Sequence, residues 1–180
     1  PINFEDTLKT LQMHALRYFL CQATDFAAHY VNVIFRRLPT AEVPGNSEEV
    51  MRRLERQTGL IQRGQEGFTF VHRSLWEYFT ALALLHKKDP KFVIRQAANP
   101  DWEEVVRLYA GLLQESEREH DLVKRLWTIN RPLALRVTTE TRTPAAELLQ
   151  PLIAGEADNR GKLLLISALN QSLDLVSVPE

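Results

Sequence analysis

The chain has 180 residues, of which 44% are hydrophobic and 25% are charged, and its formal net charge is −1. This composition favours a folded protein with one or two small cores over a disordered chain, and it provides no overall positive charge that would attract nucleic acid. No apolar run approaches the roughly 18 residues of a membrane helix, so we expect no membrane insertion. The single cysteine, Cys21, is predicted to be a buried thiol in a reducing, cytoplasmic compartment.

The first half of the chain is predicted to contain four helices and a β hairpin. Apolar residues at helical spacing, with Asn46 as a helix cap and Gly59 as a stop, predict helices over residues 6–22, 26–38 and 46–58. Two short strands, residues 60–63 and 68–71, flank a turn that begins and ends with glycine. A fourth helix is predicted over residues 75–87, with a capping box formed by Ser74 and Glu77 and a buried apolar stripe at Leu75, Tyr78, Phe79, Leu82 and Leu85. Three helices, a two-stranded wing and a closing helix predict a winged-helix domain over residues 1–90.

The second half, residues 91–180, is predicted to be an all-α domain. Asn99 followed by Pro100 predicts a helix start, Pro132 predicts another, and residues 138–143 form a polar break. Two leucine-rich helices over residues 144–154 and 158–176 resemble the beginning of a HEAT-like solenoid, which is built from helix pairs. The predicted fold class is therefore mainly α, a winged-helix domain followed by a helical region.

The sequence contains no motif for catalysis, for a phosphate-binding loop or for a metal site. The stretch from Gly155 to Leu163 only superficially resembles a phosphate loop, because five residues separate its glycines, no Ser or Thr follows Lys162, and it joins two helices. No histidine has the i, i+4 partner of a helical zinc site, and the Glu117-x-x-His120 pair is predicted to be a solvated surface. We therefore predict that the chain is not an enzyme by itself and holds no metal or cofactor of its own.

A cluster of arginines in the first half raises the question of DNA binding. Acidic residues interrupt this cluster and include Glu66 at the predicted tip of the wing, where a DNA-binding wing would favour a cation. We therefore favour a solvated or protein-facing surface over contact with nucleic acid. The arginines are Arg36, Arg37, Arg52, Arg53, Arg56, Arg63 and Arg73, and the other acidic residues are Glu48, Glu49 and Glu55.

His72 is the residue that neither periodicity explains, because it lies between the second strand and the fourth helix. An imidazole at such a junction can reach a group outside the domain, and its charge can change near neutral pH. A structural histidine bonded to nearby backbone is the alternative interpretation. The neighbouring aromatic residues Trp76, Tyr78 and Phe79 are predicted to belong to the core.

The segment from Phe68 to Ala81, FTFVHRSLWEYFTA, resembles the winged-helix signature of the NACHT-type STAND NTPases, Phe-x-Phe-x-His-x-Ser-Phe-x-Glu-Tyr/Phe-Phe-x-Ala. Leu75 replaces the phenylalanine that follows the serine in that pattern, which is a conservative apolar change, and the resemblance in context extends over residues 7–85. The matching residues are Phe68, Phe70, His72, Ser74, Glu77, Tyr78, Phe79 and Ala81.

This resemblance implies a part of a signalling ATPase, such as those used in innate immunity or defence, whose P-loop core precedes the present residues and binds ADP or ATP with Mg²⁺. In such proteins His72 would contact the β-phosphate of ADP and hold the winged helix against the core. Exchange for ATP would release it and expose surfaces for self-association or for other protein partners. The start of the chain at Pro1 agrees with an origin in a longer polypeptide.

Two other functions stay open at this point. One is a winged-helix transcription regulator that carries a helical ligand-binding or dimerisation domain. The other is a helical-repeat adaptor that merely carries a wing. A salt-dependent DNA-binding titration separates the first of these from a switch module.

Overall fold

The computed structural model describes residues 4–21, 47–65 and 67–176. Over these residues the chain is mainly helical, with nine α-helices, one short 3-10 helix and one two-stranded antiparallel sheet. The chain divides into two compact units, Pro1–Lys87 and Lys88–Glu180. The helix predicted over residues 26–38, together with Arg36, Arg37 and Glu66, lies outside the described residues.

The first unit contains three described helices and the hairpin. In chain order these are α1 (Phe4–Cys21), α2 (Ser47–Thr58), β1 (Ile61–Arg63), β2 (Phe68–Phe70) and α3 (Arg73–Lys87). The strands pair antiparallel, with Ile61 opposite Phe70 and Arg63 opposite Phe68. The predicted hairpin and its turn are confirmed, and each strand is one residue shorter than predicted.

Gly59 ends α2 in the left-handed conformation, with a φ of 63°. Its N–H donates to the carbonyl of Glu55 at 3.0 Å, which satisfies one of the carbonyls that every helix leaves unpaired at its C-terminus. Glycine adopts this conformation without the clash that a Cβ would cause. The glycine therefore turns the chain from α2 directly into β1.

The core of the first unit lies between α1, α2, α3 and the inner face of the hairpin. Phe68 and Phe70 are both buried because alternate residues of a strand face the same side, and Phe70 stacks on Phe79 of α3 with ring centres 5.7 Å apart. The helices α1 and α3 pack against each other. The other buried members of this core are Leu11, Ala15, Met51, Leu54 and Ile61.

The second unit is made of helices, several of which begin at a side-chain cap. It contains α4 (Pro90–Gln96), the 3-10 helix (Pro100–Trp102), α5 (Glu103–Leu112), α6 (Ser116–Ile129), α7 (Arg131–Val137), α8 (Ala145–Gly155) and α9 (Asn159–Val176). Asp89, Asn99 and Asn130 each accept a hydrogen bond from a backbone N–H in the first turn that follows. A proline stands in the first turn after each of these caps, where its missing N–H has no helical partner to lose.

The apolar faces of the helices in the second unit are largely buried. Trp102, Val105 and Tyr109 are in the core, as are Leu122 and Leu126 of α6. Ile129 continues the helical spacing of this face of α6, but it is 47% exposed because it is the last residue of the helix. The stretch from Gly155 to Leu163 joins α8 to α9, so its prediction as an interhelical turn is confirmed.

Glu119 links the start of α6 to the segment that precedes α8. Its side chain is buried and accepts backbone N–H bonds from Arg142 at 3.2 Å and Thr143 at 2.9 Å. Burial favours the protonated carboxyl, but the bonds from Thr143 and Arg142 outweigh it and lower the pKa of Glu119. The predicted polar break at residues 138–143 is thus held by a carboxylate from another helix.

Candidate functional site

The structure places His72 at the junction between β2 and α3, where it is exposed to solvent. The backbone is held on both sides of this residue. The N–H of Val71 donates to the carbonyl of Leu60 at 3.1 Å and so extends the hairpin ladder, while the N–H of Leu75 donates to the carbonyl of His72 at 3.1 Å and opens α3. The exposed imidazole therefore projects from a backbone position that leaves little freedom.

The His72 ring makes two contacts with Ser74, and both involve Nδ1. The backbone N–H of Ser74 donates to Nδ1 at 3.2 Å, and the Ser74 hydroxyl lies 2.6 Å from the same nitrogen. An amide N–H can only donate, so Nδ1 is the acceptor and the proton of the neutral ring is on Nε2. Nε2 makes no hydrogen bond within the part of the chain that the structure describes.

These contacts correct the helix start that the sequence predicted. The expected capping box assigned the cap to Ser74, with Glu77 reaching back to it. Instead α3 begins at Arg73, and the imidazole of His72 accepts the N–H bond that a cap accepts. Glu77 is buried and pairs with Arg73 at 2.7 Å along one turn of the helix.

The aromatic residues that follow His72 hold α3 in place. Trp76 donates its indole N–H to the carbonyl of Ala15 at 2.9 Å and packs edge to face on Phe19, with ring centres 5.1 Å apart. Phe79 is buried, as predicted. Tyr78 was predicted to be a core residue but is 38% exposed, because the buried face of α3 runs through Glu77, Phe79, Thr80, Ala81, Ala83 and Leu84.

The described arginines of the predicted basic cluster are mostly engaged in ion pairs. Glu48 bonds to Arg52 at 2.9 Å and to Arg63 at 3.0 Å, and Arg53 pairs with Glu49 at 3.1 Å. The hydrogen bonds from Arg52 and Arg63 lower the pKa of Glu48, so this carboxyl stays charged. The surface of α2 and β1 is therefore an interleaved pattern of both charges.

A polar network in the second unit was not foreseen from the sequence. Trp127 of α6 donates its indole N–H to Glu156 at 2.6 Å, and Arg131 bridges Glu156 at 3.2 Å and Asp158 at 3.0 Å. The backbone N–H of Asp158 and the indole N–H of Trp127 lower the pKa of Glu156. Trp127, Arg131 and Glu156 of this network line a groove of about 800 Å³ along α6 and α8.

Cys21 does not have the environment that the sequence suggested. It is the last residue of α1 and is exposed, because the buried face of this helix ends before its final residue. Among residues 4–21, 47–65 and 67–176 there is no cluster of histidine, cysteine and acidic side chains suited to a metal ion. No helix in the same residues combines the length and hydropathy needed to cross a bilayer.

Comparison with protein-family models, curated proteins and solved structures gives no match.

Proposed function

We propose that this chain is the regulatory switch of a NACHT-type STAND signalling ATPase. In this proposal residues 1–90 form a winged-helix domain, and residues 91–180 form the start of a HEAT-like helical region. His72 contacts ADP that is held by a P-loop core elsewhere in a longer, cytoplasmic polypeptide. Release of this contact on exchange for Mg²⁺-ATP opens the protein for self-association or for other protein partners.

The observation that carries the proposal is the state of the His72 imidazole. The ring is exposed, its backbone is held on both sides, and its Nε2–H has no partner among the described residues. A donor held in this way suits an oxygen of a phosphate group. The sequence around His72 resembles the family pattern, and this resemblance is the reason for proposing that the phosphate belongs to ADP.

A contact of this kind is strong enough to work as a switch. A hydrogen bond to a charged group contributes about 1.5–3 kcal/mol, which corresponds to roughly a 10- to 150-fold change in an equilibrium. A ligand shifts a conformational equilibrium only by its difference in affinity for the two states. The His72 contact would supply that difference if it is made with ADP and lost with ATP.

The helical region of the proposal is supported by the packing of consecutive helices. The helices α8 and α9 pack against each other across a short turn, as the members of a helix pair do. α9 also carries three exposed apolar side chains, Leu163, Leu164 and Ile166. Such side chains are typical of a helix that another element covers in the complete protein.

The proposal is tested by His72→Leu in the polypeptide that contains both this chain and the P-loop core. We expect the purified variant to retain less ADP and to oligomerise without a signal, as measured by nucleotide analysis after denaturation and by size-exclusion chromatography. His120→Leu is the matched control, because it makes the same replacement at a partly buried histidine of the second unit. Wild-type ADP retention and an unchanged monomer in His72→Leu would refute the proposal.

A further inference from the structure

We infer that Ser74 is the positioning residue of His72. Its hydroxyl and its backbone N–H hold the imidazole in one rotamer and one tautomer, so that Nε2 keeps its proton and offers it to an oxygen acceptor. The two contacts of Nδ1 with Ser74 are the evidence for this rotamer and this tautomer. The identity of the acceptor, a nucleotide phosphate, rests on the proposed function.

The Ser74 hydroxyl adds a second donor to Nδ1 of the neutral ring. A hydroxyl both donates and accepts, so in the neutral ring it can donate to Nδ1 across the 2.6 Å contact. Nδ1 then faces two donors of Ser74, the hydroxyl and the backbone N–H, and this leaves the ring proton on Nε2. The group that the neutral ring presents outward is therefore a donor.

The position of Ser74 is itself held by the core of the first unit. Ser74 lies in the first turn of α3, and the next residue, Leu75, packs against the apolar cluster. Two residues later the indole of Trp76 is anchored on the carbonyl of Ala15. The side chain that orients His72 therefore stands on a helix that packing immobilises, as a precise binding site requires.

An ordinary helix cap would need less than this. A cap requires only that the imidazole accept the Ser74 N–H, and it gives the hydroxyl no role. A positioning role requires the hydroxyl, so removal of this single oxygen separates the two interpretations. Ser74→Ala keeps the backbone N–H and the helix, whereas Ser74→Thr keeps the hydroxyl.

The first measurement uses this chain alone and does not depend on its function. Long-range ¹⁵N–¹H correlation spectra in mildly alkaline solution report the tautomer of His72, and three-bond couplings between Hα and Hβ report its rotamer. We expect wild type and Ser74→Thr to show Nε2–H and one rotamer, and Ser74→Ala to show averaged couplings. An Nδ1–H tautomer, or averaged couplings already in the wild type, would overturn the inference.

The second measurement follows the release of labelled ADP from the polypeptide that contains the P-loop core. We expect release to be about 10- to 100-fold faster in His72→Leu and about 2- to 10-fold faster in Ser74→Ala, with Ser74→Thr close to wild type. Faster release in His72→Leu but not in Ser74→Ala would overturn the inference and leave the proposed function standing. Unchanged release in His72→Leu would overturn the proposed function, and the phosphate as acceptor would fall with it.

Discussion

We expect the free energy of unfolding of the first unit to depend on pH because of His14. This histidine of α1 is completely buried, and its burial, with a smaller effect of the Arg17 charge, lowers its pKa from 6.5 to about 4. The folded protein thus keeps His14 neutral at a pH where the unfolded chain binds a proton. The contribution of His14 to the free energy of unfolding is fully present above its unfolded pKa of 6.5, is lost as the pH falls towards 4, and changes no further below 4.

The size of the effect follows from the two pKa values. At pH 5 the unfolded chain has bound nearly one proton at His14 and the folded protein almost none, which removes about 2 kcal/mol of the free energy of unfolding. The full loss below pH 4 is roughly 3 kcal/mol. These are large fractions of the roughly 5–15 kcal/mol that stabilises a typical domain.

The assay is urea denaturation between pH 8 and pH 5, followed by the indole N–H resonance of Trp76. This group donates to the carbonyl of Ala15, so its signal reports the unit that contains His14. The comparison is with His14→Leu, since the four other histidines are present in both proteins and their contributions cancel. The variant should lose about 2 kcal/mol less than the wild type over this range. Equal losses in the two proteins would show that His14 titrates like a solvent-exposed histidine and would refute the reasoning.

Two further predictions concern the turn after α2 and the charged surface beside it. Gly59→Ala should destabilise the first unit by roughly 1–2 kcal/mol in thermal denaturation, because an alanine is strained at a φ of 63°, while no atom lies within 4 Å of the new Cβ. Gly155→Ala is the control, because this position is equally open but has no positive φ, and the substitution should not lower the stability. The isolated chain should show no salt-dependent binding to duplex DNA, and Glu48→Gln, which frees Arg52 and Arg63, should not create it; a steep fall of affinity with salt in the wild type would favour the transcription regulator instead.

The sequence predicts this fold best where the determinants are local. The hairpin is an example, because alternate phenylalanines and two bounding glycines specify its strands and turn within ten residues. The helix starts at Asn99 and near Pro132 are further examples, since the cap and the proline each act within the first turn. The buried face of α3 was partly wrong, because periodicity places both Tyr78 and Phe79 on the apolar stripe without showing which of them the packing against α1 covers.

Contacts between distant parts of the chain could not be predicted in the same way. Glu119 lies in a charged stretch that reads as a solvated surface, and only the folded chain brings the backbone of Thr143, 24 residues later, to its carboxylate. The bond between Trp127 and Glu156 spans 29 residues and has no periodic signal either. Both glutamates find their hydrogen-bond partners only in the folded chain. The sequence alone therefore suggests solvated surface residues, whereas each of them links two segments of the fold.

The candidate site combines both kinds of determinant, so the sequence predicts where His72 lies but not which of its ring nitrogens carries the proton. The position of His72 follows from local patterns, a strand that stops and a helix that starts. The tautomer depends on whether the helix begins one residue before Ser74 or at Ser74, a difference within the usual error of helix boundaries. Because α3 begins at Arg73, the Ser74 N–H is directed to the imidazole and the free proton of His72 is left on Nε2. Trp76 anchors α3 on the carbonyl of Ala15, so the bond that fixes this helix in the core also fixes the helix whose first turn orients the His72 ring.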